Sequence, residues 1–134
     1  MKVAATITAA GKGPRSTCAV KITCDKFSHT RLIPFAKATV NQAELFALGY
    51  VLTSIKSDLK DVDFEVTTSN QYVGRILDRD AHGQFAITPE KNIEQVKEVR
   101  DLATKRRVTL VVSKTKEITS LREEIKKAVE PVKA

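Results

Sequence analysis

The chain is poor in cysteine, glycine and proline and contains no tryptophan. It holds two cysteines, two histidines, five glycines and four prolines among 134 residues. No segment approaches the roughly 18 apolar residues of a membrane-spanning helix, and the N-terminus lacks the apolar core of a signal peptide. Because so little glycine and proline leaves no room for a long linker, we predict one domain, residues 1–134, in the cytoplasm and away from membranes.

The two cysteines are spaced in a way that excludes a disulfide between them. Cys18 and Cys24 lie six residues apart in one alternating segment. On a strand they share a face at a separation of about 20 Å, whereas a disulfide needs Cα atoms within roughly 7 Å. No CxxC or HxxxH pair supplies the ligand spacing of a zinc site. We therefore predict buried thiols in a reducing compartment and no metal site.

Acidic residues are almost missing from the first part of the chain. Residues 1–41 contain seven Lys or Arg against one acid, residues 42–90 four against eight, and residues 91–134 twelve against seven, for a net charge of +7. A basic chain with basic ends suits a polyanionic partner, although an ordinary soluble basic surface is the alternative. The aromatic content of 5% disfavours a platform that stacks on single-stranded bases. A double-stranded ligand fits better.

The hydrophobic pattern predicts three leading strands followed by alternating helices and strands. Strands without intervening helices favour an antiparallel meander, and later helical crossovers favour parallel strands. The expected fold is α/β, a mixed five-stranded sheet with helices on both faces. The predicted strands cover residues 3–8, 18–24, 30–35, 63–67 and 108–112.

Four helices are predicted from apolar periodicity and capping signals. The first begins at Asn41, has Glu44 at capping-box spacing and turns Phe46 inward. A short helix covers residues 71–79. The third opens with Thr88 as N-cap and Pro89 at its first position, and the last with a Ser120–Glu123 capping box. These helices complete a βββαβααβα order.

Two sequence motifs lie near the middle of the chain. Residues 41–48 read Asn-Gln-Ala-Glu-Leu-Phe-Ala-Leu, and residues 68–73 read Thr-Ser-Asn-Gln-Tyr-Val. They resemble the central motifs of the type 1 ribonuclease H family. The predicted order of elements, over nearly the whole chain, also resembles the order in that family. That family cuts RNA paired to DNA with carboxylates that hold two metal ions. The resemblance implies a ribonuclease H-like fold with sheet order 3-2-1-4-5.

The catalytic carboxylates of the family are mostly replaced in this chain. Glu44 matches the family acid of the first helix, but Ser69 replaces the acid after strand 4 and Ala9 stands for the acid of strand 1. One clear carboxylate does not suffice for two Mg²⁺ ions. The resemblance therefore implies a catalytically inactive domain without a cofactor, in which Glu44 caps its helix. Candidates for a fourth acid, by proximity only, are Glu117, Glu123 and Glu124.

Polar and basic residues around the replaced acids remain available for binding. In the family, polar side chains beside the acids touch the minor groove. In this chain, the loops after strands 1 and 5 are basic and suit phosphates at the carboxyl edge of the sheet. The alternative role for the side-chain amides of Asn41, Asn70 and Gln71 is local helix capping rather than binding. The predicted nucleic-acid-binding residues are Lys12, Arg15, Asn41, Asn70, Gln71, Lys114 and Lys116.

Three functions remain open at this point. The first is an inactive ribonuclease H-like domain that binds RNA, RNA/DNA hybrid or another duplex. The second is the same fold used as a protein-interaction or scaffold module, within a viral or mobile-element assembly. The third is an active nuclease with relocated acids, which would need Mg²⁺.

Overall fold

A five-stranded mixed sheet forms the centre of the molecule. The computed structural model describes residues 2–25, 27–55 and 62–129, so the predicted domain limits at residues 1 and 134 lie outside the described residues. The sheet order is β3-β2-β1-β4-β5, in which β1–β2 and β2–β3 pair antiparallel and β1–β4 and β4–β5 pair parallel. The predicted fold class and strand order are confirmed. The elements are β1 Lys2–Lys12, β2 Arg15–Cys24, β3 Phe27–Phe35, α1 Val40–Thr53, β4 Asp63–Thr68, α2 Gln71–Arg75, α3 Ile93–Thr104, β5 Arg107–Val112 and α4 Lys116–Val129.

Strand β1 separates two layers of the core because its side chains alternate between the faces of the sheet. Val3 and Ile7 are fully buried in the larger core, which also contains the apolar face of α1. On the opposite face, Ala10 packs with a smaller cluster that includes Leu121 and Ile125 of α4. Helices therefore cover both faces of the sheet, as predicted. Burying each large aliphatic side chain contributes about 1.5–3 kcal/mol.

Helix α1 begins one residue earlier than predicted and with a different cap. The Thr39 hydroxyl accepts from the Gln42 backbone N–H at 3.1 Å, and the Gln42 side chain accepts from the Thr39 N–H at 2.8 Å. The predicted capping box between Asn41 and Glu44 is therefore wrong. Because Thr39 already satisfies the first turn, the side chains of Asn41 and Glu44 are available for other contacts.

The predicted inward orientation of Phe46 is also wrong. Its side chain is 43% exposed and meets the Phe35 ring edge-on, with 5.2 Å between the ring centroids. Apolar residues surround most of α1, so periodicity alone did not identify the buried face. The face that packs on the sheet carries residues such as Ala47 and Leu48, which are fully buried.

Two further helix starts differ from the sequence prediction. Helix α3 begins at Ile93 after Asn92, which has a positive φ of 58° and makes no side-chain cap, so Thr88 and Pro89 lie outside the helix. Helix α4 begins at Lys116, and the Thr115 hydroxyl accepts from the Ile118 N–H at 3.2 Å. The predicted cap residues are of types that N-cap positions prefer, but Asn92 and Thr115 stand at those positions instead. Ser120 accordingly lies inside α4.

The short helix α2 lies directly against the ends of two strands. It starts at Gln71, as predicted, but ends at Arg75 instead of residue 79. Gly74 is buried there, and a Cβ at this position would overlap the Val112 side chain. The Ser113 N–H donates to the Thr68 carbonyl at 2.9 Å and fixes the end of β5 beside β4. These contacts position the residues that follow β4.

Of the two predicted buried thiols, Cys18 is buried and Cys24 is only partly buried. Cys18 and Cys24 are both free. Burial raises the pKa of the Cys18 thiol to about 12, so it remains protonated and unreactive. Among the residues that the structure describes, no helix is long and apolar enough to cross a membrane.

Candidate nucleic-acid interface

The candidate site lies where β1 and β4 end side by side. Their parallel register sets Thr6 beside Thr67, which brings Thr8 toward Ser69 one step beyond β4. Ala9 is 3% exposed and belongs to the core on the opposite face. Thr8 is therefore the β1 residue on the Arg122 side of the sheet, whereas Ala9 lies on the side that α1 covers.

Glu44 is a buried acid and not a helix cap. It is 1% exposed, and its Oε1 accepts from the Thr68 hydroxyl at 2.8 Å. Thr68 is fully buried, and its Oγ1 also accepts from the Asn70 N–H at 3.0 Å. Burial raises the pKa of the Glu44 carboxyl, against the opposing effects of hydrogen bonds from Thr68 and Asn70 and of the Arg122 charge. The predicted capping role is therefore wrong.

Arg122 of α4 places a guanidinium between the ends of β1 and β4. Its Nε donates to the Thr8 hydroxyl at 2.9 Å, and its Nη2 donates to the Ser69 hydroxyl at 3.3 Å. Thr8 is fully buried, so this hydroxyl is a fixed anchor for the arginine. A cation thus occupies the place where the resemblance implied acids that hold metal ions.

Sequence reasoning missed Arg122, although one signal pointed to it. The residue lies four positions after Ile118 and three before Ile125, both of which are buried. Residues at this spacing share a helix face, so Arg122 had to lie near the sheet. Its partners are 114 and 53 positions away in the chain, and no local pattern relates them.

The predicted amide residues come together beside Glu44. Asn70 Nδ2 donates to Asn41 Oδ1 at 2.8 Å, and Asn70 Oδ1 accepts from the Val73 N–H at 3.1 Å as the cap of α2. Gln71 is exposed at the first position of α2. Asn70 therefore serves mainly to cap and orient, whereas Asn41 and Gln71 lie at the surface and can reach a ligand.

The four predicted basic loop residues lie at the same end of the sheet. Lys12 and Arg15 face each other across the β1–β2 turn, and Lys114 and Lys116 lie at the junction of β5 and α4. All four are exposed. The Ala38 N–H donates to a carbonyl of the β1–β2 turn at 3.0 Å, which holds that turn beside the start of α1. The exposed cations therefore flank the site of Arg122.

The remaining acids do not complete a metal site. Glu117 accepts from the Thr6 hydroxyl at 2.9 Å and forms an ion pair with Lys21 at 2.8 Å, and this lysine lowers the pKa of Glu117. Glu123 and Glu124 are exposed on α4. Within the described ranges, no three His, Cys, Asp or Glu side chains cluster closely enough to hold a metal ion.

The side chains present do not fit a pair of divalent ions. Mg²⁺ binds through several oxygen ligands, chiefly carboxylates, phosphates and water. Here two neutral hydroxyls bind a guanidinium, and the Glu44 carboxylate is buried and hydrogen-bonded by Thr68. Positive charge at this position favours a ligand oxyanion instead.

The raised pKa of Glu44 predicts a pH-dependent difference in stability between the wild type and Glu44→Gln. Since the folded state holds the proton more tightly than the unfolded state, the carboxyl contributes stability at low pH that is lost as the pH rises from about 4.5 through the folded pKa. The free energy of unfolding of Glu44→Gln relative to the wild type should therefore increase with pH. Urea unfolding between about pH 4 and 8 measures this. A difference that does not change with pH would contradict a buried, destabilised carboxylate.

Comparison with known proteins identifies solved structures of similar fold. No protein-family profile and no curated protein matches the sequence. LC11-RNase H1, isolated from compost and solved in complex with RNA/DNA hybrid, has a TM-score of 0.75 and 19% identity over 96% of this chain and 99% of its own. The N-terminal ribonuclease H domain of a Mycobacterium tuberculosis protein has a TM-score of 0.70 and 16% identity over 91% of this chain and 88% of the other. RNase H1 of Halobacterium salinarum has a TM-score of 0.66 and 18% identity over 95% and 99%.

These similarities cover whole domains at low sequence identity. The shared feature is the backbone fold, which in this chain is a five-stranded sheet of order 3-2-1-4-5 with helices on both faces. At identities of 19% and below, the likeness concerns the backbone and not the chemistry of the site. The chain has a ribonuclease H-like fold.

Proposed function

We propose that this domain binds double-stranded nucleic acid, RNA/DNA hybrid in particular, and does not cut it. The observation that carries the proposal is the Arg122 guanidinium held by Thr8 and Ser69. LC11-RNase H1, which has the same fold, was solved with RNA/DNA hybrid bound. The basic loops and exposed amides around Arg122 supply the contacts that a duplex backbone needs.

Arg122 is the central phosphate contact in this proposal. A guanidinium offers five N–H donors in a plane and binds phosphate oxygens in pairs. The hydrogen bonds to Thr8 and Ser69 use two of these donors and fix the orientation of the group. Lys12, Arg15, Lys114 and Lys116 add exposed charges to either side.

Asn41 and Gln71 contribute contacts of another kind. Both amides donate and accept hydrogen bonds, so they can contact base edges and 2′-hydroxyls in the minor groove of an A-form duplex. Asn41 is held in place by Asn70 at 2.8 Å. The amides would contact the minor groove, whereas the phosphate contacts made by the cations fix the register of the duplex and supply most of the affinity.

The proposed absence of cleavage rests on charge and burial. Two-metal hydrolysis needs an activated water and a stabilised leaving oxygen, each at a metal ion. A metal ion at Thr8 and Ser69 would face the Arg122 cation at close range. Glu44, at 1% exposure, cannot reach such an ion without losing its hydrogen bond from Thr68.

Nucleic-acid binding predicts a specific dependence on salt. The logarithm of the affinity for labelled RNA/DNA hybrid should fall linearly with the logarithm of salt concentration. Lys114→Gln should reduce that slope by about one, because one phosphate contact is lost. Fluorescence anisotropy with hybrid, double-stranded RNA and double-stranded DNA measures both effects.

The matched control for this titration is Lys105→Gln. Lys105 follows α3 at the opposite end of the sheet and is exposed, so its loss should leave the slope unchanged. If none of the three nucleic acids binds even at low salt, the proposal fails. The scaffold function would then become the better explanation of the fold.

A further inference from the structure

The edge strand β3 is long and open along one side. It covers nine residues and pairs with β2 in unbroken antiparallel register, from the Cys24–Phe27 pair to the Ser16–Phe35 pair. In the described part of the chain, no strand pairs with its other side, so roughly half of its backbone N–H and C=O groups point away from the sheet. All nine residues are exposed or only half-buried. The strand can therefore accept a further strand.

Aromatic side chains line the face of β3 that is turned toward α1. Ile33 packs against the main core, and side chains at alternate positions of a strand share a face. Phe27, His29 and Phe35 therefore lie on the same side as Ile33. The Phe27 and His29 rings are stacked, with 6.0 Å between their centroids, and Phe35 meets Phe46 of α1 edge-on. Since Phe27 is 58% exposed and Phe46 is exposed too, these rings form a surface of the kind that binds another molecule.

Arg31 lies at the midpoint of β3, on the same face as these rings. Its guanidinium carbon lies 5.5 Å from the centroid of the Tyr50 ring, and its Nη1 donates to the Tyr50 hydroxyl at 3.4 Å. These contacts hold the side chain beside α1 and leave its charge at the surface. With Tyr50, three of the five phenylalanines and one of the two tyrosines of the chain lie along this edge. The few aromatic residues are thus concentrated at one place.

The charge beside the open edge is positive. Strands β2 and β3 contain no aspartate or glutamate. Lys21 of β2 is paired with Glu117 on the opposite face of the sheet, whereas Arg31 is exposed on β3 and Lys37 is exposed two residues after it. The acid nearest in the sequence is Asp25, in the turn between β2 and β3. Electrostatic complementarity therefore favours an acidic partner.

Two other occupants are disfavoured by the same side chains. A second copy of the chain, paired antiparallel over the whole strand, would set Arg31 opposite its own counterpart, and like charges directly opposite are destabilising. Nucleic-acid bases need open ring faces for stacking. Here Phe27 and His29 cover one face of each other, with ring planes 15° apart, and Arg31 covers one face of Tyr50. An extended acidic peptide has neither disadvantage.

We propose that β3 is a docking edge for an extended, acidic segment of another protein, which adds to the five-stranded sheet as a further strand. Backbone hydrogen bonds to the open side supply the affinity, and alternate side chains of the peptide supply the specificity. Pro34 lacks an N–H and removes at most one of these bonds. Because opposite residues on neighbouring strands share a face, the peptide places an acid opposite Arg31 and apolar side chains opposite Phe27 and Phe35.

A peptide of sequence Leu-Asp-Val-Thr-Glu-Thr-Val-Asp-Leu tests this docking. In either strand direction, its central glutamate falls opposite Arg31 and its terminal leucines fall opposite Phe27 and Phe35. We expect saturable binding of the fluorescein-labelled peptide, measured by fluorescence anisotropy. Arg31→Glu should weaken binding about tenfold, since an opposite-charge pair across the strands becomes a like-charge pair. A peptide with lysine at its centre should show the reverse preference and bind Arg31→Glu better than the wild type.

The matched control for the peptide titration is Arg75→Glu. Arg75 is exposed at the end of α2, beside Gly74, which approaches Val112 at the opposite edge of the sheet. This variant makes the same charge change away from β3 and should leave the peptide affinity nearly unchanged at physiological salt. Peptide binding that is absent, or that Arg31→Glu and Arg75→Glu weaken equally, would overturn the proposal.

Methylation of the peptide backbone separates strand addition from a general attraction of charges. In an added strand, only the N–H groups of alternate peptide residues point toward β3. Methylating the nitrogens of one alternate set should therefore abolish binding, whereas methylating the other set should preserve it. Equal effects of the two sets would contradict strand addition.

Two further measurements test the disfavoured occupants. A dimer in analytical ultracentrifugation that Phe27→Ser disrupts would assign the edge to a second copy, and displacement of the peptide by a single-stranded oligonucleotide would assign it to nucleic acid. Either result overturns the proposal, whereas a monomeric protein and an undisplaced peptide support it. Arg122→Glu should leave peptide binding unchanged, so the docking edge and the proposed duplex interface can fail independently.

Discussion

Replacing Arg122 with glutamate should weaken the binding of RNA/DNA hybrid by about 100-fold at low salt, or roughly 2.8 kcal/mol. The arginine lies between Thr8 and Ser69 at the centre of the exposed cations. Its loss removes a charge-assisted contact with phosphate, worth about 1.5–3 kcal/mol. The new carboxylate also repels the phosphate backbone. Fluorescence anisotropy with labelled hybrid measures the change.

Two further variants separate phosphate recognition by Arg122 from a general effect of charge. Lys97→Glu makes the same charge change at an exposed position of α3 and should weaken binding only a fewfold, on the scale of a remote, screened charge. Arg122→Lys keeps the charge and should retain more affinity than Arg122→Glu. Equal losses in Arg122→Glu and Lys97→Glu, in variants that melt like the wild type, would show that Arg122 makes no specific contact.

The second large effect concerns stability and the buried pair of Glu44 and Thr68. Thr68→Val should lower the free energy of unfolding by about 3 kcal/mol at neutral pH. The exchange preserves shape, but it removes the donor to Glu44 Oε1 and the acceptor for the Asn70 N–H. A carboxylate buried to 1% exposure then loses its closest hydrogen bond. Urea unfolding followed by circular dichroism measures the loss.

A double substitution tests whether Glu44 is the cause of that loss. In Glu44→Leu/Thr68→Val both polar partners become apolar, which is often nearly neutral in a protein core. The double variant should therefore recover most of the lost stability, and the coupling between the two positions should exceed about 1 kcal/mol. Thr109→Val, the same exchange at an exposed position of β5, should change stability by less than about 0.5 kcal/mol. Additive effects at positions 44 and 68 would contradict the buried pair.

Much of the fold could be predicted from the sequence because the signals that determine it are local. Alternation over residues 18–24 identified a strand, and the order of helices and strands limited how the strands could pair. The motifs around Glu44 and Ser69 lie on α1 and directly after β4, where the resemblance placed them. The strand order 3-2-1-4-5 followed from these elements together.

The details of the site could not be predicted because several residues suit the same structural role, and the sequence alone does not show which of them takes it. Thr39 and Asn41 are both good N-cap residues, and only the path of the chain into α1 decides that Thr39 caps. That shift of two positions turned Glu44 from an expected cap into a buried acid. Arg122 lies 114 positions from Thr8, so its role became visible only when β1 and α4 were packed together.

Incubation of labelled RNA/DNA hybrid with the wild-type chain, in Mg²⁺ and in parallel in EDTA, tests most directly whether this fold binds without cutting. Both the bound fraction and the length of the RNA are measured in each sample. We expect similar binding in both and RNA that remains full length, because Arg122 and the basic loops provide the contacts without a metal ion. RNA cleavage that requires Mg²⁺ and disappears in Glu44→Gln would contradict this.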